Sequence, residues 1–132
     1  MILVDANVIL DIWDPDPVWH AWSIGQLQKN SLLHDLAINP IIYSEISVSF
    51  KTPSTLDKKL NQWYLSVLNI PRHAAFLAGK AYQQYRRRGG AKSNVLADFL
   101  IGAHAAVLAC AILTRDTRVY ATYFPTVPLI AP

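Results

Sequence analysis

An unbroken apolar run that stops abruptly on an acid constrains this chain from its first residues. Ile2, Leu3, Val4 and Asp5 do not alternate apolar with polar as a half-exposed strand does, so residues 2 to 5 read as a strand covered on both faces. Further short strands are expected in "LAINP" (36–40), "VLNIP" (67–71), "AILT" (111–114) and "VPLIAP" (127–132). A turn of helix follows Asp5 and ends at "DPDP", where Pro17 suits the first position of the next helix, "PVWHAWSIGQLQKN" (17–30). Asn39 and Pro40 read as the N-cap and first residue of a helix over 40–50, and a second helix follows over 54–67. The segment 72–88 is a strong helix stopped by Gly89 and Gly90. Another spans 93–109, capped by Ser93 or Asn94. Strands alternating with helices at this spacing predict an α/β fold in three layers, with a central parallel sheet, as one domain over 1–132.

Composition narrows the class further. With 52% hydrophobic and 16% charged residues over 132 positions, the chain has a core to bury and is not disordered. Its net charge of +3 tolerates a polyanionic partner without requiring one. The single cysteine, Cys110, excludes an intrachain disulfide and a CxxC metal site. No basic segment precedes the first apolar run, so no secretory leader is expected. The longest apolar stretch, 95–113, contains Asp98 and His104, which argues against a membrane span. A cytoplasmic location is the default expectation.

Four acids stand where a parallel sheet places its ligands, beyond the carboxyl ends of the strands. Asp5 ends the first strand, and Asp116 follows "AILT". Glu45 and Asp98 sit in otherwise apolar helices that start on the same side of the sheet. With Asn94 as cap, Asp98 falls in the second turn, at the edge of a core stripe of Leu96, Leu100, Ala103 and Val107. Singly, each acid has an ordinary explanation: Asp5 or Asp116 as a cap, Asp98 as a dipole acid, Glu45 as a solvated side chain. Together they would repel, and a hard divalent cation, magnesium or manganese, removes that conflict. Such an ion suits metal-assisted phosphodiester hydrolysis. Asp11, Asp14, Asp16, Asp35 and Asp57 lie in polar or turn contexts and are given no role.

The segments "LVDANV", "YSEI", "ADFLIGAHA" and "LTRDTRVY" resemble the PIN-domain ribonucleases, in particular the VapC-type toxins of toxin–antitoxin pairs. The resemblance spans the chain in the family's order, and is loose between Phe50 and Val95. It implies a parallel-sheet α/β fold and magnesium- or manganese-dependent cleavage of RNA by metal-activated water. Carried over position by position, the catalytic acids are Asp5, Glu45, Asp98 and Asp116. Asp5 and Asp98 resemble the most direct metal ligands, with Glu45 and Asp116 acting through water or a second ion. Asn7 and Thr114 match supporting polar positions. The resemblance also implies a cognate antitoxin and a second copy of the chain as partners.

Other residues carry two readings. Arg86, Arg87 and Arg88 suit RNA phosphates or a solvated helix end. Trp19 and Trp22 suit the core or a partner anchor, and His104 the core or an interface. His20, His34 and His73 show no metal-ligand spacing. Two rival functions belong to other classes. One is a PIN-like module that binds RNA or protein without cutting. The other is an aspartyl phosphotransferase with Asp5 as nucleophile, as in haloacid-dehalogenase-like phosphatases, but Asn7 stands where that motif places its second acid.

Overall fold

A computed structural model of the chain describes residues 1–92 and 94–132. Among these residues the strands are β1 (Ile2–Val4), β2 (Leu36–Ile38), β3 (Leu65–Val67), β4 (Ala111–Leu113) and β5 (Leu129–Ile130). They form one parallel sheet in the order β3-β2-β1-β4-β5. The helices are α1 (Ala6–Trp13), α2 (His20–Ser31), α3 (Pro40–Ile46), α4 (Pro53–Gln62), α5 (Arg72–Arg87), α6 (Leu96–Leu108) and α7 (Arg118–Tyr123). For this strand order the right-handed rule for parallel crossovers assigns α1 to α4 to one face and α5 to α7 to the other, and the helices pack accordingly, α1 against α2 and α3, and α6 against α5 and α7. The unbroken apolar strands are the centre of the core: Leu3, Val4, Ile38, Ile112 and Leu113 are fully buried. The three-layer α/β/α architecture expected from the alternating pattern is therefore the one observed.

Local chemistry explains most boundaries. Asp5 lies beyond β1 and caps α1, its carboxylate accepting from the Ala6 N–H. Asn39 caps α3 by accepting from Ile41 and Ile42, and Pro40 occupies its first position. Thr52 and Pro53 do the same for α4. Gly89, at φ +88°, takes the left-handed turn after α5.

Several expected boundaries are corrected. Pro17 lies in a turn rather than in α2; the Asp16 carboxylate caps that turn by accepting from Val18 and Trp19, and α2 begins at His20. The helix expected over 40–50 ends at Ile46 and tightens into a 3₁₀ turn, Ser47–Ser49. The helix expected over 54–67 ends at Gln62, and Leu65–Val67 becomes β3 in place of "VLNIP". Helix α7 was not foreshadowed. In α6 the cap position falls to Val95, which makes no side-chain cap, and not to Asn94; Ser93 lies outside the described residues. Asp98 is consequently in the first turn. Leu96, placed in the core by the expected stripe, is exposed, while Phe99, Ile101, Gly102 and Ala105 are buried.

Candidate active site

The chain leaves β1 toward β2 on one side and returns to β4 on the other, so the carboxyl ends of β1 and β4 flank a topological switch point. Asp5 follows β1 and Thr114 follows β4, and the Asp5 N–H bonds the Leu113 carbonyl across the gap at 2.9 Å. The two loops are further stitched by side chains. Asp5 Oδ2 accepts from the Thr114 hydroxyl at 2.8 Å and from the Tyr120 hydroxyl at 2.9 Å, while Oδ1 faces the Ala6 N–H at 2.8 Å. Asn7 accepts from the Arg115 N–H and donates to Thr114 Oγ1 at 3.3 Å, with Asp5 Oδ2 at 3.5 Å. Thr114 Oγ1 in turn accepts from the Asp116 N–H. Asp5 is thus a buried carboxylate with its orientation fixed from three elements.

The remaining acids reach it through their charges. Burial pushes Asp5 up; Thr114, Tyr120 and Ala6 oppose that, and Asp116 adds to it. Glu45 rises to about 7, first from desolvation and then from Asp5 and Asp98. Asp98 rises to about 6 by desolvation, then Asp5 and Asp116, with Arg118 pulling the other way. Asp116 differs. Arg118 grips it with two N–H donors at 3.0 and 2.7 Å and holds it below the usual carboxylate range. The four acids therefore share one field without forming a closed cage: among the described residues no three His, Cys, Asp or Glu side chains are disposed to hold one ion. The donor chemistry itself fits a hard divalent cation, since the four groups are carboxylates and Glu45 and Asp98 are driven toward protonation by desolvation first and by the neighbouring acids second.

That crowding predicts a pH dependence for the metal-free protein. A carboxyl whose folded value is raised binds its proton more tightly in the folded chain, so stability falls as pH rises through the window between the two values. For Asp98 the window runs from 3.8 to about 6, and for Glu45 from 4.5 to about 7. Glu45 is exposed and Asp98 half-buried, so solvent screening reduces the joint effect to about 1–2 kcal/mol. In chelator, the Asp98→Asn/Glu45→Gln protein should gain stability over wild type between pH 5 and pH 8, measured by thermal unfolding. An equal gain at both pH values would remove the crowding.

The structure also supplies residues that the sequence reading passed over. Tyr120 orients Asp5, and burial together with the Asp5 charge pushes its phenol well above the usual value. Asp11, given no role, is not in a polar or turn context. It is buried on α1, receives a two-pronged ion pair from Arg115 at 2.7 and 2.8 Å, and accepts from Ser23 Oγ at 2.6 Å. The Arg115 guanidinium lies over the Trp19 ring, 5.2 Å from its centroid, and Trp22 packs edge-on against Trp19 beside the core. His104 is a core histidine, with Nδ1 3.2 Å from Asn39 Nδ2, so it ties α6 to the cap of α3.

The chain matches the PIN domain family over residues 2–125 and belongs to it. Its fold is that of VapBC2 from Rickettsia felis bound to a DNA fragment from its promoter, at a TM-score of 0.73 and 18% identity, with 99% of this chain and 98% of that one covered. FitAcB from Neisseria gonorrhoeae is similar at a TM-score of 0.69 and 21% identity, covering 98% and 96%. A toxin–antitoxin complex from Klebsiella pneumoniae is similar at 0.69 and 22%, covering 96% and 95%. A comparison with curated proteins gives no match. Among the described residues no helix is long and apolar enough to cross a membrane.

Proposed function

We propose that this PIN-domain protein is a magnesium- or manganese-dependent endoribonuclease and the toxin of a toxin–antitoxin pair. The observation that carries the reading is the field shared by Asp5, Glu45, Asp98 and Asp116 at the β1/β4 switch point. When bound, the cation supplies an activated water and stabilises charge developing on the phosphodiester. Asp5 and Asp98 would hold it. Glu45 and Asp116 would complete the pocket, and Asp116 must first leave Arg118. Thr114 and Tyr120 donate to one Asp5 oxygen and fix its direction, while Asn7 anchors the loop behind Asp116 through the Arg115 N–H. None of these roles requires a serine, cysteine or histidine nucleophile.

Similarity to VapBC2 and to a toxin–antitoxin complex from Klebsiella pneumoniae supports the toxin role and an antitoxin partner. The non-cleaving module is disfavoured, because a surface that only bound RNA would be weakened by like-charged carboxylates. The test is cleavage of defined single-stranded RNAs. Activity is expected with magnesium or manganese and should vanish with chelator. Expression in a bacterial host should arrest growth, and a small protein encoded beside this chain should relieve the arrest. Cleavage unchanged by chelator would overturn the metal-dependent reading.

A further inference from the structure

The net charge of +3 conceals a strong segregation. Eight of the twelve Lys and Arg residues, and none of the nine acids, lie between Lys58 and Ala97; the rest of the chain carries four cations against nine acids. Within the basic segment, Arg86, Arg87, Arg88 and Lys92 crowd the end of α5 and the turn toward α6, and all four are exposed. Among the described residues none of them is in an ion pair. Cations in the last turn of a helix are favourable on their own, but Lys92 stands beyond the helix and gains nothing there.

The turn is also built rather than loose. The Gly90 N–H bonds the Tyr85 carbonyl at 2.9 Å, and a Cβ at Gly90 would lie 2.5 Å from the Tyr85 ring. The Lys92 N–H donates to the Tyr85 hydroxyl at 3.1 Å, and the Arg88 guanidinium lies over the Tyr123 ring at 5.5 Å. Tyr85, Phe99 and Tyr123 pack together with ring centroids 5.0 to 6.2 Å apart. Phe99 follows Asp98 on α6, and Tyr123 shares α7 with Tyr120, the donor to Asp5. The aromatic cluster therefore ties the basic turn to the helices that carry the acidic site. Lys92 is near enough to act on Asp116.

We propose that the α5–α6 turn, through Arg86, Arg87, Arg88 and Lys92, holds the phosphate backbone of single-stranded RNA beside the acidic crevice. This inference rests on the nuclease reading of that crevice. Carboxylates repel the polyanion they are to cut, and a fixed row of cations alongside supplies the attraction they lack.

The test uses the Asp5→Asn chain in chelator and a labelled single-stranded RNA, followed by fluorescence anisotropy across a salt series. Adding Arg86→Ala, Arg87→Ala and Lys92→Ala leaves the Arg88–Tyr123 stack in place. It should weaken binding at least about tenfold at low salt and flatten the salt slope by about 2, the loss of three phosphate contacts. In the chain with its acids intact, the same three substitutions should raise KM and leave kcat within about twofold, as loss of uniform binding does. An unchanged salt slope overturns the proposal, as does a fall in kcat at constant KM. So does tighter binding of a polyglutamate peptide than of RNA at the turn, which would make it a protein-docking surface. Weakened RNA binding in a chain that never cleaves would keep the RNA surface and remove the nuclease reading. Cleavage with an unmoved KM would do the reverse.

Discussion

Asp5→Asn and Asp98→Asn should each lower metal-dependent RNA cleavage by at least about 100-fold, more than the loss of a group that merely orients a ligand. For Asp5 the fold should survive the change. The amide oxygen can keep the Ala6 N–H, the Tyr120 hydroxyl can rotate to accept from the new NH₂, and Thr114 can turn its own proton to the Asp116 carbonyl. What disappears is the charge. Because burial holds the Asp5 carboxyl above its ordinary value, neutralising it should leave the metal-free protein as stable as wild type at neutral pH or more so. Activity and stability therefore move in opposite directions, which misfolding cannot imitate. The measurements are single-turnover cleavage with manganese and thermal unfolding of the same preparations. Wild-type rates in both variants would remove these acids from the chemistry.

What the sequence made legible follows the range of the forces involved. Asn39 followed by Pro40 announced α3 correctly, because a cap and a fixed φ act within three residues. Asp5 directly after β1 and Asp116 three residues past β4 stood out for a related reason, since the ends of buried strands are set by local runs of apolar residues. The stretch 54–67 was misread because Tyr64 takes a left-handed φ of 56°, unusual for a bulky residue, and Leu65–Val67 is drawn away from helix by pairing with β2. Helix α6 failed differently. It is apolar nearly all round, so any stripe satisfies its pattern, and the true contact is set by Gly102, where a Cβ would lie 2.3 Å from the Phe124 ring. Tyr120 lies 115 residues from Asp5 along the chain, and Asp11 lies 104 from Arg115. No local pattern reports such pairs. They exist only once the parallel sheet sets β1 beside β4.

Arg115→Ala should cost about 2–3 kcal/mol, a fall of roughly 10 °C in Tm for a chain of this size, although the residue touches no other acid than Asp11. Asp11 is 3% exposed, and without the guanidinium its charge is left in the core with Ser23 Oγ as its sole remaining side-chain donor among the described residues. Arg115 keeps 28% of its side chain in solvent and rests on Trp19, so the loss sits below the range for a fully enclosed pair. Replacing both partners separates the two possible sources of the effect. Asp11→Leu with Arg115→Met removes the stranded charge and should recover most of the stability, since packed apolar groups often equal a buried ion pair. Activity should not recover in parallel. The ion pair pins the loop that begins at Thr114 to α1 and α2, and Asp116 sits on that loop beside the Arg115 N–H held by Asn7. A double variant restored in Tm yet still slow in cleavage would show that the pair positions Asp116. One restored in both would reduce it to a support of the fold.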